Sequence, residues 1–127
     1  MAVNIDHQFR ATADRLWEIL GKPDRVDWVP GVKHCVLEDD VRSLTLPGAG
    51  SIKERILFHS NEQRIIEYSC FEAPGTLKTH RARMEVLSNA KGCQLLWQAE
   101  VTPVNIEAFI RKSMEGCLVR LEQLLNP

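Results

Sequence analysis

Glu54 is the residue whose position most needs an explanation. It interrupts an apolar face, between Ile52 and Ile56, in the alternating segment 51–59, with Phe58 next on the same face. An unpaired carboxylate in an apolar wall is costly, so it must neutralise, accept hydrogen bonds or pair with a cation, unless it lies on a curved edge and reaches water. Lys33 and His80 are the candidate partners. His80 shares a face with Ala82, Met84 and Val86 in segment 77–88, where an imidazole can move a proton near neutral pH or rest in the core on one hydrogen bond. Lys33 is either a partner on that wall or a solvated strand lysine. Tyr68, on the inner set of 64–72 with Ile66 and Cys70, can donate to a ligand carbonyl or satisfy its hydroxyl locally. A carboxylate, an imidazole and a phenol facing one apolar space can orient the polar tip of a small molecule. They can also move a proton alpha to a carbonyl.

Other chemistries lack their residues. His7, His34, His59 and His80 show no paired ligand spacing, so no metal is expected. No GxSxG elbow and no phosphate-cradling glycine loop is present. Cys35 adjoins His34, but neighbouring strand residues point to opposite faces and cannot share a site. The net charge of −1 gives no field for nucleic acid or anionic membrane, and no apolar run approaches the roughly 18 residues of a membrane span. The N-terminus lacks a signal-peptide pattern, and Cys35, Cys70, Cys93 and Cys117 form no CxxC pair. They are expected as reduced core thiols in a cytosolic protein.

At 127 residues, with 44% apolar and 26% charged residues, the chain reads as one domain over 1–127. Val3, Ile5, His7 and Phe9 alternate as a strand. Thr12 caps a helix carrying Leu16, Trp17, Ile19 and Leu20, stopped by Gly21, and Pro23 opens a second short helix through Trp28. Strands are expected at 32–38, 41–46, 51–59, 64–72, 77–88 and 93–102. Between them lie turns at Pro47–Gly50, Ser60–Gln63, Pro74-Gly75 and Asn89–Gly92. In 93–102 the inward set is Leu95, Trp97, Ala99 and Val101. A long amphipathic helix from Val104 to Leu125 closes the chain, with Phe109, Ile110, Ser113, Met114 and Cys117 toward one side. Seven strands in succession joined by short turns imply antiparallel pairing, and one helix across such a sheet leaves room for an apolar ligand.

The order of these segments resembles the START/SRPBCC superfamily, in the polyketide cyclase/dehydrase-like branch related to abscisic-acid receptors. The residues carrying the likeness are Ala13-Asp14-Arg15-Leu16-Trp17-Glu18-Ile19-Leu20, then Trp28-Val29-Pro30-Gly31-Val32 and Val41-Arg42-Ser43-Leu44-Thr45-Leu46. Glu54-Arg55-Ile56-Leu57, Tyr68, Trp97 and the terminal helix complete it. The resemblance implies an α+β helix-grip fold: seven strands in a curved antiparallel sheet around the C-terminal helix, two short helices after the first strand, and a cavity between. It also places Lys33 where the receptor branch anchors a carboxylate, Glu54 at a pocket glutamate, His80 at a pocket tyrosine and Cys117 near a polar asparagine. Leu46–Gly50 loosely echoes the gate of that branch, though the chain is not read as a hormone receptor.

The expected function is binding of a small hydrophobic or aromatic molecule, lipid-like or polyketide-like, without a cofactor. The candidate contacts are Lys33, Glu54, Ile56, Phe58, Tyr68, His80, Met84, Trp97, Phe109, Ser113, Met114 and Cys117. The alternative is a cyclase or dehydratase in which His80 or Glu54 moves the proton and Lys33 or Tyr68 stabilises the oxyanion. A protein-interaction domain with a filled core is the third reading, and a homodimer is left open.

Overall fold

The computed structural model describes residues 2–126. Strand β1 (Ala2–Phe9) leads into helix α1 (Ala13–Leu20). Then come β2 (Val36–Glu38), β3 (Val41–Leu46), β4 (Gly50–Ser60), β5 (Ile65–Glu72), β6 (Thr79–Asn89) and β7 (Gly92–Thr102). A 3-10 turn at Val104–Ile106 opens helix α2 (Glu107–Leu125). The strands form one antiparallel sheet in the order β1-β7-β6-β5-β4-β3-β2, so the first strand closes beside the last and every other neighbour follows in sequence. This is the α+β arrangement of seven strands and a long C-terminal helix that the segment order implies.

Local chemistry sets the element ends. The Thr12 hydroxyl accepts the Arg15 N–H and starts α1, and the Gly21 N–H closes it on the Trp17 carbonyl. Gly92, at φ +136, begins β7 beneath the start of α1. A Cβ there would lie 2.4 Å from the Phe9 carbonyl oxygen, so this hairpin admits only glycine. In β6 and β7 the alternation holds throughout: Ala82, Met84, Val86, Leu95, Trp97, Ala99 and Val101 are all buried. Helix α2 lies against β1 and β7 and turns Met114, Cys117, Leu121 and Leu125 inward, spaced by three and four residues as one stripe requires. Each large side chain so buried stabilises by about 1.5–3 kcal/mol.

Two expected elements change. Residues 23–28 form turns rather than a helix. The bonds Arg25 N–H to Lys22 C=O and Val29 N–H to Val26 C=O span three residues, not four. The Pro23 carbonyl, which a helix would use internally, accepts instead from Arg42 Nη1 at 2.9 Å. Trp28 is still buried, with its Nε1–H on the Arg25 carbonyl. The strand expected at 32–38 shortens to Val36–Glu38, because the chain arrives from Gly31 packed against the Pro47 ring and joins the β3 ladder only at Val36.

Candidate functional site

A cavity of about 90 Å³ lies between the sheet and α2. Its sheet side is built from Arg42 and Leu44 on β3, Ile52 and Glu54 on β4, Tyr68 on β5, His80 on β6, and Trp97 and Ala99 on β7. Helix α2 supplies Ile110, Ser113, Met114 and Cys117, and the turn segment closes one end with Val26, Trp28 and Val29. Trp28 meets Trp97 edge-on, ring centroids 5.8 Å apart. Toward the start of α2 a groove of about 300 Å³ continues from it, sharing Leu46, Ile52, Glu54, His80 and Ile110 and adding Cys70, Leu77 and Phe109.

Glu54 is paired with Arg42. The two residues face each other across β3 and β4, and Arg42 Nε donates to Glu54 Oε1 at 2.7 Å. Their side chains are only 8% and 13% exposed, so this pair carries little solvent screening. Burial works against the Arg42 charge, but Glu54 and then Tyr68 outweigh it and hold the guanidinium above its ordinary pKa. Arg42 also lies over the Tyr68 ring, 4.7 Å from its centroid.

Tyr68 and His80 are held by single, directional bonds. Trp97 Nε1–H donates to Tyr68 Oη at 3.2 Å in the core. Burial, and then the Glu54 charge, push the Tyr68 hydroxyl pKa far up, so it stays a phenol. The regular β5–β6 ladder ends at Tyr68 and Ala82. Beyond it the strands are bridged through side chains: the Cys70 N–H donates to His80 Nδ1 at 2.9 Å, and the Ser69 hydroxyl donates to the His80 carbonyl. Burial lowers the His80 pKa, with Glu54 opposing and Arg42 assisting. Burial, with Glu54 adding to it, lifts the Cys117 thiol to about 12 and the Cys70 thiol to about 11, so neither is a nucleophile at neutral pH.

The structure brings Glu54, Tyr68, His80, Trp97, Ser113, Met114 and Cys117 together around the cavity, with Phe109 on the outer groove at 39% exposure. Four expected contacts stand elsewhere. Lys33 is exposed on the approach to β2, outside the cavity lining, because the chain joins the ladder only three residues later, at Val36. Phe58 is 43% exposed, since Ile56 pairs with Tyr68 and Phe58 with Glu67, leaving Leu57 as an extra residue that reverses the alternation. His59, itself exposed, turns toward α1 and stacks on Trp17. Ile56 and Met84 are core packing rather than cavity lining. The partner of Glu54 is therefore Arg42, neither Lys33 nor His80. A signal for it exists in the chain: the turn at Pro47–Gly50 pairs Leu46 with Gly50, and the same register places Leu44 opposite Ile52 and Arg42 opposite Glu54.

The sequence pattern of a family described as polyketide cyclase / dehydrase and lipid transport matches residues 2–126. The chain belongs to the polyketide cyclase/dehydrase and lipid transport family. This places it in the SRPBCC superfamily, as its first-helix and terminal-helix residues imply. No curated protein matches the sequence. Solved proteins share the fold at low identity. XoxI from Bacillus cereus is 20% identical, with 98% of this chain and 94% of that chain covered at a TM-score of 0.88. A putative uncharacterized protein from Bacillus thuringiensis is 19% identical over all of both chains at 0.90. Ara h 8.0201 is 10% identical, with 98% and 97% covered, at 0.79. Identities this low carry the family's sheet and helix across but not its ligands.

Proposed function

We propose that the protein binds a small, mostly apolar or aromatic molecule between the sheet and α2, with its polar end at Glu54, Tyr68 and His80. One observation carries this reading: the Arg42–Glu54 charge pair is held in the wall of a space whose apolar lining includes Trp28, Trp97, Ile110 and Met114. A core that only had to be stable would do as well or better with apolar residues of similar volume in place of that pair. Polar groups at one end of an apolar pocket are what orienting a ligand requires. The four unpaired cysteines fit a reducing, cytosolic compartment for this role.

Native mass spectrometry of freshly purified protein tests it. A bound small-molecule mass is expected, with weaker retention in Glu54→Gln. No adduct across several preparations, together with no uptake of the apolar dye Nile red, would overturn it.

The family description also names cyclase and dehydrase chemistry. The same cavity supports that reading less well. His80 Nδ1 already accepts the Cys70 N–H, so the imidazole cannot act as base without rearrangement, and Arg42 already takes one of the two Glu54 oxygens. Turnover of an aromatic polyketide by the wild-type protein, abolished in His80→Ala at unchanged affinity, would reverse this preference.

A further inference from the structure

The polar groups of the cavity differ in what they have left to offer. Tyr68 Oη accepts the Trp97 indole N–H, but a phenol that accepts still carries its own hydrogen, and no acceptor for it lies among the described residues. His80 is in the corresponding state. Its Nδ1 accepts the Cys70 N–H, so the neutral ring carries its proton on Nε2, and that N–H too has no partner among the described residues. The rings of Tyr68 and His80 stand 5.8 Å apart, within reach of one ligand end. The charges beside them are already matched, since Arg42 gives Nε to Glu54 and Nη1 to the Pro23 carbonyl.

The field in the site disfavours a further anion. After burial itself, the larger charge effect at both Tyr68 and His80 comes from Glu54, ahead of Arg42. At Cys70 and Cys117 the only charge that acts is Glu54. A carboxylate entering here would be desolvated beside the Glu54 carboxylate, with Arg42 already paired to that residue. An ammonium would face those two donor hydrogens and would have to share Glu54 with Arg42.

Size divides the ligand between the two spaces. An apolar cavity of roughly 150 Å³ takes up benzene. The inner cavity, at about 90 Å³, is smaller and admits the polar end, while the groove of about 300 Å³ holds the ring system.

We propose that the site selects an uncharged ligand whose inward end is an acceptor oxygen, a ketone, lactone or ester carbonyl, received by the Tyr68 O–H and the His80 Nε2–H, and that it rejects the matching carboxylate. This rests on the ligand-binding reading above and names the ligand class that reading leaves open.

Four naphthalenes of nearly the same shape test it: the methyl ketone, the isopropyl hydrocarbon, the carboxylate and the protonated ethylamine. Their affinities are measured by tryptophan quenching and calorimetry on the wild-type protein and on Tyr68→Phe, at about pH 7.5 so that the imidazole is neutral. The ketone is expected to bind at least about fivefold tighter than the hydrocarbon and on the order of a hundredfold tighter than the carboxylate. In Tyr68→Phe the ketone-to-hydrocarbon ratio is expected to fall to within about twofold. Carboxylate or amine binding as tight as the ketone, or a hydrocarbon equal to it, overturns the selectivity while leaving a binding protein. If none of the four binds, the ligand-binding reading itself fails. Should Tyr68→Phe not fold, the wild-type ranking decides alone.

Discussion

Arg42 and Glu54 stand directly opposite each other on β3 and β4 and meet through Nε and Oε1 at 2.7 Å on the cavity wall. The same guanidinium reaches the Pro23 carbonyl at 2.9 Å, so it ties the turn segment that carries Trp28 to the sheet. One residue thus neutralises the buried carboxylate and fixes the end of the cavity.

Arg42→Met leaves the Glu54 carboxylate alone in an apolar wall. The expected loss is about 3–5 kcal/mol, read from the urea midpoint at constant slope. The double variant Arg42→Met/Glu54→Leu is expected to recover most of it, because neither charge is then stranded. A double variant as unstable as the single would show instead that the bond to Pro23 dominates.

Tyr68→Phe removes the acceptor of the buried Trp97 indole N–H. A destabilisation of about 1–3 kcal/mol is expected. Thermal unfolding should shift downward by roughly 4 °C for each kcal/mol in a chain of this size. An unchanged melting temperature would mean that Trp97 finds another partner.

His80 makes stability depend on pH in a defined direction. Burial holds its folded pKa below the usual imidazole value of 6.5. As pH falls through that value the unfolded chain takes up the proton first, so the folded state loses stability. The loss continues until the pH passes the lower folded pKa and then levels off. Protonation would also set an N–H against the Cys70 N–H. Urea unfolding between about pH 8 and pH 5 should show this slope in the wild type and a smaller one in His80→Gln, whose amide oxygen can accept the same N–H. Equal slopes would remove His80 as the source.

Lys33→Ala and Phe58→Ala probe the reversed expectations. Both side chains are exposed and outside the cavity, so ligand affinity and stability should each change by less than about 0.5 kcal/mol. Met84→Ala, at a site only 2% exposed, is expected to cost about 2–5 kcal/mol. A loss of ligand binding in Lys33→Ala would show that the approach to β2 folds over the cavity when it is filled.

Most of the fold and part of the site were legible in the chain. Strand alternation put Glu54, Tyr68, His80 and Trp97 on one face, and the final helix put Ser113, Met114 and Cys117 opposite them, which is where they lie. Periodicity reads a residue's side reliably while the backbone stays regular. It fails where one residue is inserted, as at Leu57, since a single extra position turns Phe58 off the inner face with no change in composition. It also fails at Pro23–Trp28, where the residues suit a short helix until Arg42 captures the Pro23 carbonyl.

By itself the sequence determined most of the strands, the first and last helices, the turns between the later strands and that a carboxylate sits in an apolar wall. These are local properties, set by side-chain periodicity and backbone preference within a few residues. The tertiary structure decided that Arg42, not Lys33, neutralises Glu54, that His80 carries its proton on Nε2, and that Tyr68 keeps a free hydrogen. Each depends on which groups distant in the chain arrive within about 3 Å in a largely buried region, where an unmatched charge or hydrogen-bonding group costs more than a local preference offsets.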